Sequence, residues 1–272
     1  GGGDISFTTN NLLQTGSAID AGTGDFAVVP RTGTWNIEFA PSNSAVPPYD
    51  TAIFIDSDFA GIIAGSFTLG GSGHTGVIYV GNNISGIAAF PADLAISQTN
   101  AGAGGKYFEN RNSSANVDLA AGSTGGIRLY AADSPAISLG TGTLSVSGSA
   151  TLFADTTISA NGGIVFNNGI DDSVAGADDL TLNSSGTTSL HGAVGSGNAL
   201  SSIVTDAGGS TEVFGATMGT TGAQSYLDAI SLEADAQFIG GSGSTVRFGG
   251  TVAGAGIARS LTVTTANARF DG

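Results

Sequence analysis

The sequence predicts an all-β chain wound as a parallel β-helix, and three observations carry that expectation. Apolar residues recur with period two in short runs, turn-forming Gly, Asn, Asp or Ser bound the runs, and one long stretch of the chain repeats another. Helix signals are scarce: 45 glycines in 272 residues recur too often for a helix of more than two turns.

The alternating pairs run along the whole chain. They are Ile5/Phe7, Ile37/Phe39, Ile53/Ile55, Phe67/Leu69, Val77/Tyr79, Val117/Leu119, Ile127/Leu129, Ile137/Leu139, Leu144/Val146, Leu180/Leu182, Ile230/Leu232, Val246/Phe248 and Leu261/Val263. Side chains at i and i+2 of a strand point the same way, so each pair marks one buried face of four to six residues. Thr and Ser fill the intervening positions, where branching at Cβ suits a pleated surface and charge is unnecessary.

Internal repetition separates a coil from a sandwich or barrel. The stretch 151–192 aligns with 231–272: Leu152 with Leu232, Asp155 with Asp235, Phe166 with Phe248, Leu180 with Leu261 and Gly192 with Gly272. The offset is 80 residues at the first pair and 81 at Leu180. A weaker related unit spans Leu200 to Gly215. Such units bury an apolar stripe only by stacking on a neighbour, which builds a rod. With about 20 to 30 residues per coil, some 9 to 14 coils stacked at the ~4.8 Å strand spacing give a rod of about 45 to 65 Å. Residues 1–140 read as a segment with irregular loop insertions, and 141–272 as its continuation with the internal repeat. The expected organisation is one continuous solenoid belonging to a longer chain. No signal peptide opens the sequence, which begins Gly1-Gly2-Gly3.

Composition excludes several function classes. Eighteen Asp and four Glu stand against six Arg and the single Lys106, for a net charge of −15. Nucleic-acid affinity comes mostly from clustered cations on phosphate, so nucleic acid is excluded as a partner, and an anionic membrane fits no better. No apolar run approaches the ~20 residues that span a bilayer, so no membrane insertion is expected of this segment. The acidic surface keeps repetitive β structure from pairing edge to edge. There is no cysteine.

The stretches DISFTTNNLLQTGSAIDAGTGDFAVVP (4–30), FAGIIAGSFTLG (59–70), GVIYVGNNIS (76–85), NVDLAAGSTGGIRLYA (116–131) and TTGAQSYLDAISLEADAQF (220–238) resemble the repeats of filamentous-haemagglutinin-like exoproteins and other giant bacterial β-helix adhesins. The resemblance covers nearly the whole chain as many low-complexity pieces. It implies a right-handed parallel β-helix, export to the outer surface, and adhesive or scaffolding roles.

Few residues suggest chemistry. Gly71-Ser72-Gly73-His74-Thr75-Gly76 matches G-x-G-x-x-G, but a second strand follows it where a dinucleotide site needs a helix. His74 and His191 both sit beside glycine at turns, and no serine has glycine at both −2 and +2. No cofactor is expected. The carboxylates are the serious candidates. Asp56 and Asp58 share one face of a strand end, while Asp171/Asp172 and Asp178/Asp179 flank a loop. The first expectation for them is corner residues and solubilising charge, since Asp is a favoured turn former. The chemical alternatives are a pair of catalytic acids, as in a β-helix polysaccharide lyase or glycosidase, and a weak structural calcium site at Asp171, Asp172, Asp178 and Asp179.

For recognition, Trp35, Tyr49 and Tyr107 in or beside the irregular segments 40–51 and 100–115 are the best candidates, because insertions on one side of a solenoid carry binding. The alternation places Trp35 inside, and Tyr226 is another amphipathic ring. The expected function is structural and adhesive, not enzymatic: a cell-surface or secreted fibre contacting cells, glycans, other surface proteins or copies of itself. The alternatives are a secreted carbohydrate-active enzyme on the same fold and a self-assembling sheath or filament subunit.

Overall fold

The structure, a computed structural model, describes residues 2–10, 18–33, 36–40, 51–55, 62–71, 78–80, 93–98, 106–108, 117–121, 127–129 and 137–272, and side chains over 2–10, 18–33, 62–71 and 139–272. All regular structure among them is strand, every strand pairing between named strands is parallel, and no helix is long and apolar enough to cross a membrane. The chain winds as a parallel β-solenoid, with up to three strands per coil over 137–272.

The first face is one sheet of eleven strands, from Ile5–Thr8 to Val252–Gly254, stacked in sequence order. Ten spacings of about 4.8 Å give this sheet a height of about 48 Å, within the range expected from coil length. The second face is a seven-stranded sheet that ends at Ile170–Asp172. Single bridges Ile170↔Val194↔Met218 carry it on to the three strands Thr217–Gly219, Ala236–Ile239 and Leu261–Thr264. The third face runs over seven strands from Ile137–Ser138 to Asn267–Phe270.

Register stacks like on like. On the first face Leu144, Ile164, Thr188, Thr211, Ile230 and Val252 form one column, its members 19 to 24 residues apart. On the third, Ile158, Leu182, Thr205, Tyr226, Phe248 and Phe270 form another. All but the last member of each are buried, and together with Val194, Met218 and Phe238 they make one continuous core. Aromatic rings stack within it: Tyr226 on Phe248 at 5.9 Å, Phe238 edge-on to Phe248 at 5.2 Å, and Phe248 on Phe270 at 4.8 Å. Phe270 lies on the final coil and is 55 % exposed.

Among the described residues, winding departs from simple order at one place. Thr51–Ile55 pairs with Asn36–Ala40 on the side away from Ile78–Val80, so the chain steps back one level before climbing again. Register here corrects the phase read from sequence. Ile78 and Val80, not Tyr79, align with Ile37 and Phe39, and Phe54, not Ile53 or Ile55, aligns with Phe39. In runs such as Ala52-Ile53-Phe54-Ile55 every position is apolar, so alternation reads equally well in either phase.

The residues that the internal repeat aligns stand on different faces. Leu152 sits on the second face and Leu232 on the first, Phe166 on the first and Phe248 on the third, Leu180 on the third and Leu261 on the second. Eighty residues therefore cover three coils and two further faces. The shift is tolerated because all three faces ask the same thing of a strand, an apolar residue at alternate positions. The repeated corner aspartate keeps its job too: Asp155 Oδ1 accepts the backbone N–H of Asp179 at 2.9 Å, and Asp235 Oδ1 that of Ser260 at 2.8 Å.

Glycine columns let the corners close. A Cβ at Gly162 would come within 2.6 Å of the Thr141 oxygen, and one at Gly186 within 2.8 Å of the Gly162 oxygen. At Gly209, one coil further, a Cβ would overlap the Gly186 carbonyl oxygen, and φ is +67°. Backbone stacks directly on backbone here, which no side chain permits.

Candidate functional site

The carboxylates are the serious chemical candidates, and most prove to be stitches between or within coils. Asp4 accepts the N–H of Asp25, Asp20 that of Gly22, Asp171 that of Gly197 and Asp206 that of Ser184, at 2.8 to 3.0 Å. Asp25 and Asp179 take the hydroxyls of Ser66 and Ser202, at 2.9 and 2.8 Å. Asp271 pairs with Arg247 and Arg269, which hold its carboxyl below the usual range. A short oxygen-bearing side chain at a turn satisfies a backbone donor that the corner would otherwise leave open.

The corner between Ile170–Asp172 and Asp179–Asn183 is different. Period two continues through both strand ends, placing Asp172 inward with Ile170 and Asp178 inward with Leu180, while Asp171 and Asp179 face out. Asp172 is 1 % exposed and Asp178 9 %. This corrects the expectation of solubilising charge for these two. The turn between them wraps the Asp172 carboxylate: Oδ1 accepts from Val174 N at 3.1 Å, and Oδ2 from Ala177 N and Asp178 N at 2.9 Å each. That last bond ties the Asp178 backbone to the Asp172 carboxylate. Asp178 Oδ2 has no hydrogen-bond partner. Burial, then the charge of Asp172 and a hydrogen bond to it, then the charges of Asp155 and Asp179, push the Asp178 carboxyl from 3.8 up to about 6. Desolvation and like charge both disfavour the ionised form, so they act in the same direction.

The four aspartates expected at a calcium site thus divide into two inward and two outward. Among the described residues no three His, Cys, Asp or Glu side chains converge where a metal ion could sit. The inward pair shares one tight turn, the Asp178 backbone N–H donating to Asp172 Oδ2 at 2.9 Å. Asp56 and Asp58 lie outside the described residues, as do Trp35, Tyr49 and His74. Tyr107 falls in register with Tyr79 and Arg128, and through Arg128 with Thr151, whose neighbours Ala150 and Leu152 are buried. Exposed His191 lies flat on Phe214, ring centroids 4.0 Å apart.

A second buried polar group is not foreshadowed by the sequence. Gln224, Tyr226, Asp228, Ile230 and Leu232 are all buried, so period two runs unbroken around a corner. Asp228 accepts the hydroxyls of Thr205 and Thr211 at 2.8 and 2.7 Å. Burial raises its pKa against the pull of those two hydrogen bonds. Gln224 Nε2 donates to the carbonyls of Met218 and Ile239 at 2.8 Å each, and its Oε1 accepts from the Tyr226 hydroxyl at 3.1 Å. The alternation in QSYLDAISL is the available signal; a polar residue in an inward phase is read as a corner unless its neighbours in the next coil are known.

No protein-family model matches the chain, and neither a curated protein nor a solved structure matches it.

Proposed function

We propose that this chain is a structural and adhesive module of a bacterial cell-surface or secreted fibre, acting through the outward faces of its coils. The observation that carries this reading is the use made of the carboxylates. In an acidic chain with hardly a cation to spare, they are the groups that would have to do hydrolytic or lyase chemistry. Instead most of the described aspartates hold backbone amides and hydroxyls of neighbouring coils. One outward column of the third face runs through Thr157, Thr181, Val204 and Ser225, short and uncharged at a regular axial spacing, before Arg247 and Arg269 continue it on the last coils. A surface of that kind gains affinity by repeating weak contacts instead of enclosing one ligand. The resemblance to giant bacterial β-helix adhesins supports the same reading.

Immunogold electron microscopy of source cells, with an antibody against this segment, tests it. Gold on surface fibres or a cell coat is the expected result. Gold absent from the surface, together with loss of polysaccharide viscosity on adding purified protein, would transfer the assignment to a secreted carbohydrate-active enzyme.

A further inference from the structure

We propose that Asp172 and Asp178 hold one proton between them, and that this shared proton locks the 173–178 turn onto the next coil, closing the corner in acid and loosening it at alkaline pH. Such a lock goes beyond the adhesive role and does not depend on it.

Geometry is the first support. Both carboxyls are at least nine-tenths buried, and Asp178 Oδ2 has no donor in reach. The Asp172 carboxylate, which takes the Asp178 backbone N–H at 2.9 Å, is itself only an acceptor while ionised. Two buried acceptors gathered on one tight turn are satisfied together only when one carries a proton and donates it to the other.

The second support is what the turn holds. Gly176 N donates to Ala199 O at 2.7 Å, Ser201 N to Asp178 O at 2.9 Å, and Asp172 N to Asn198 O at 3.0 Å. Asn198 Nδ2 returns a bond to Asp172 O at 3.0 Å. These bonds join the 173–178 turn to the 195–201 segment of the next coil, so repulsion within the pair acts directly on a coil-to-coil seam.

Charges facing the pair all push the same way. Asp155 lies on the preceding coil, with Oδ1 held by Asp179 N, and Asp179 flanks the turn with Oδ1 on the Ser202 hydroxyl. Asp171 faces out and takes Gly197 N. The ion pairs among the described residues are those of Asp271, at the far end of the rod. Among those residues, then, no cation takes the proton's place. A folded-state pKa raised from 3.8 to about 6 means that the native state binds the extra proton between those values. Closure is thus complete near pH 4 and is lost as pH rises through 6.

The test follows backbone amide exchange at Gly176, Ala177, Asp178 and Ser201 from about pH 4.5 to 8, corrected for intrinsic rates, alongside a ¹³C titration of the Asp178 carboxyl. Expected are a carboxyl midpoint near 6 and roughly a tenfold or greater loss of protection between about pH 5 and 7.5, since each pH unit of displaced pKa is a factor of ten. Asp178→Asn supplies a permanent N–H donor to Asp172 and is expected to stay protected across the range. An Asp178 midpoint below about 4.5, or protection flat with pH in the wild type, would overturn the proposal. So would protection restored at about pH 8 by millimolar calcium in the wild type but not in D178N, because the pair would then be a cation site. Should D178N not fold, the wild-type titration decides the matter.

Discussion

Replacing Gly209 by alanine tests how tightly the coils close at their corners. Two terms add. The left-handed φ of +67° costs an alanine about 1–2 kcal/mol. The new methyl also meets the Gly186 carbonyl oxygen, which is backbone and cannot rotate aside. Opening the corner weakens the Ser210 N–H bond to that oxygen, now 3.3 Å, at about 0.5–1.5 kcal/mol. Overpacking adds about 1–3 kcal/mol. The expected loss is therefore about 3–6 kcal/mol. Gly243 is the control, with φ +80° and nothing within 4 Å of the position a methyl would take, so Gly243→Ala should lose only the backbone term of about 1–2 kcal/mol. Urea unfolding followed by far-UV circular dichroism gives both numbers. Because long repeats do not always unfold in one step, amide exchange over 186–213 checks that the loss is local. Equal losses for the two variants would refute the argument that backbone-on-backbone stacking sets the corner.

Three further outcomes follow from the packing. Asp228→Ala leaves two buried hydroxyls without their acceptor and should destabilise by about 2–4 kcal/mol in urea melts, with Thr211→Val partly rescuing it in the double variant. Phe248→Ala removes the middle ring of the stack between Tyr226 and Phe270 and should lose about 3–5 kcal/mol, with faster exchange confined to the C-terminal coils. Asp155→Ala and Asp235→Ala occupy different faces but do the same work, so their losses should agree, near ~1 kcal/mol each, in parallel thermal melts.

The fold class is legible because burial in a solenoid has one rule, repeated: Leu144 and Val146, Leu180 and Leu182, Val246 and Phe248 alternate in sequence and are all buried. Phase is legible only where the alternate residues are polar, which is why Ile53 and Tyr79 fall in the other register and Leu180 does not. The candidate site is half visible. The doubled aspartates at 171–172 and 178–179 point to the right corner, but which member faces inward depends on carrying the parity of Ile170 and Leu180 into the turn. That Asp178 lacks a partner depends on a turn folding back on itself, and no spacing announces it. Gln224 and Asp228 escape notice because their partners, such as Ile239 and Thr205, come from neighbouring coils 15 and 23 residues away in sequence.

The internal repeat has a directional consequence. Because equivalent residues eighty positions apart stand on different faces, any contact made by one copy is offered again from another side of the rod, about a third of a revolution round and several coils along. A flat partner could touch only one of the two copies. A three-dimensional meshwork, threaded by the rod, would meet both.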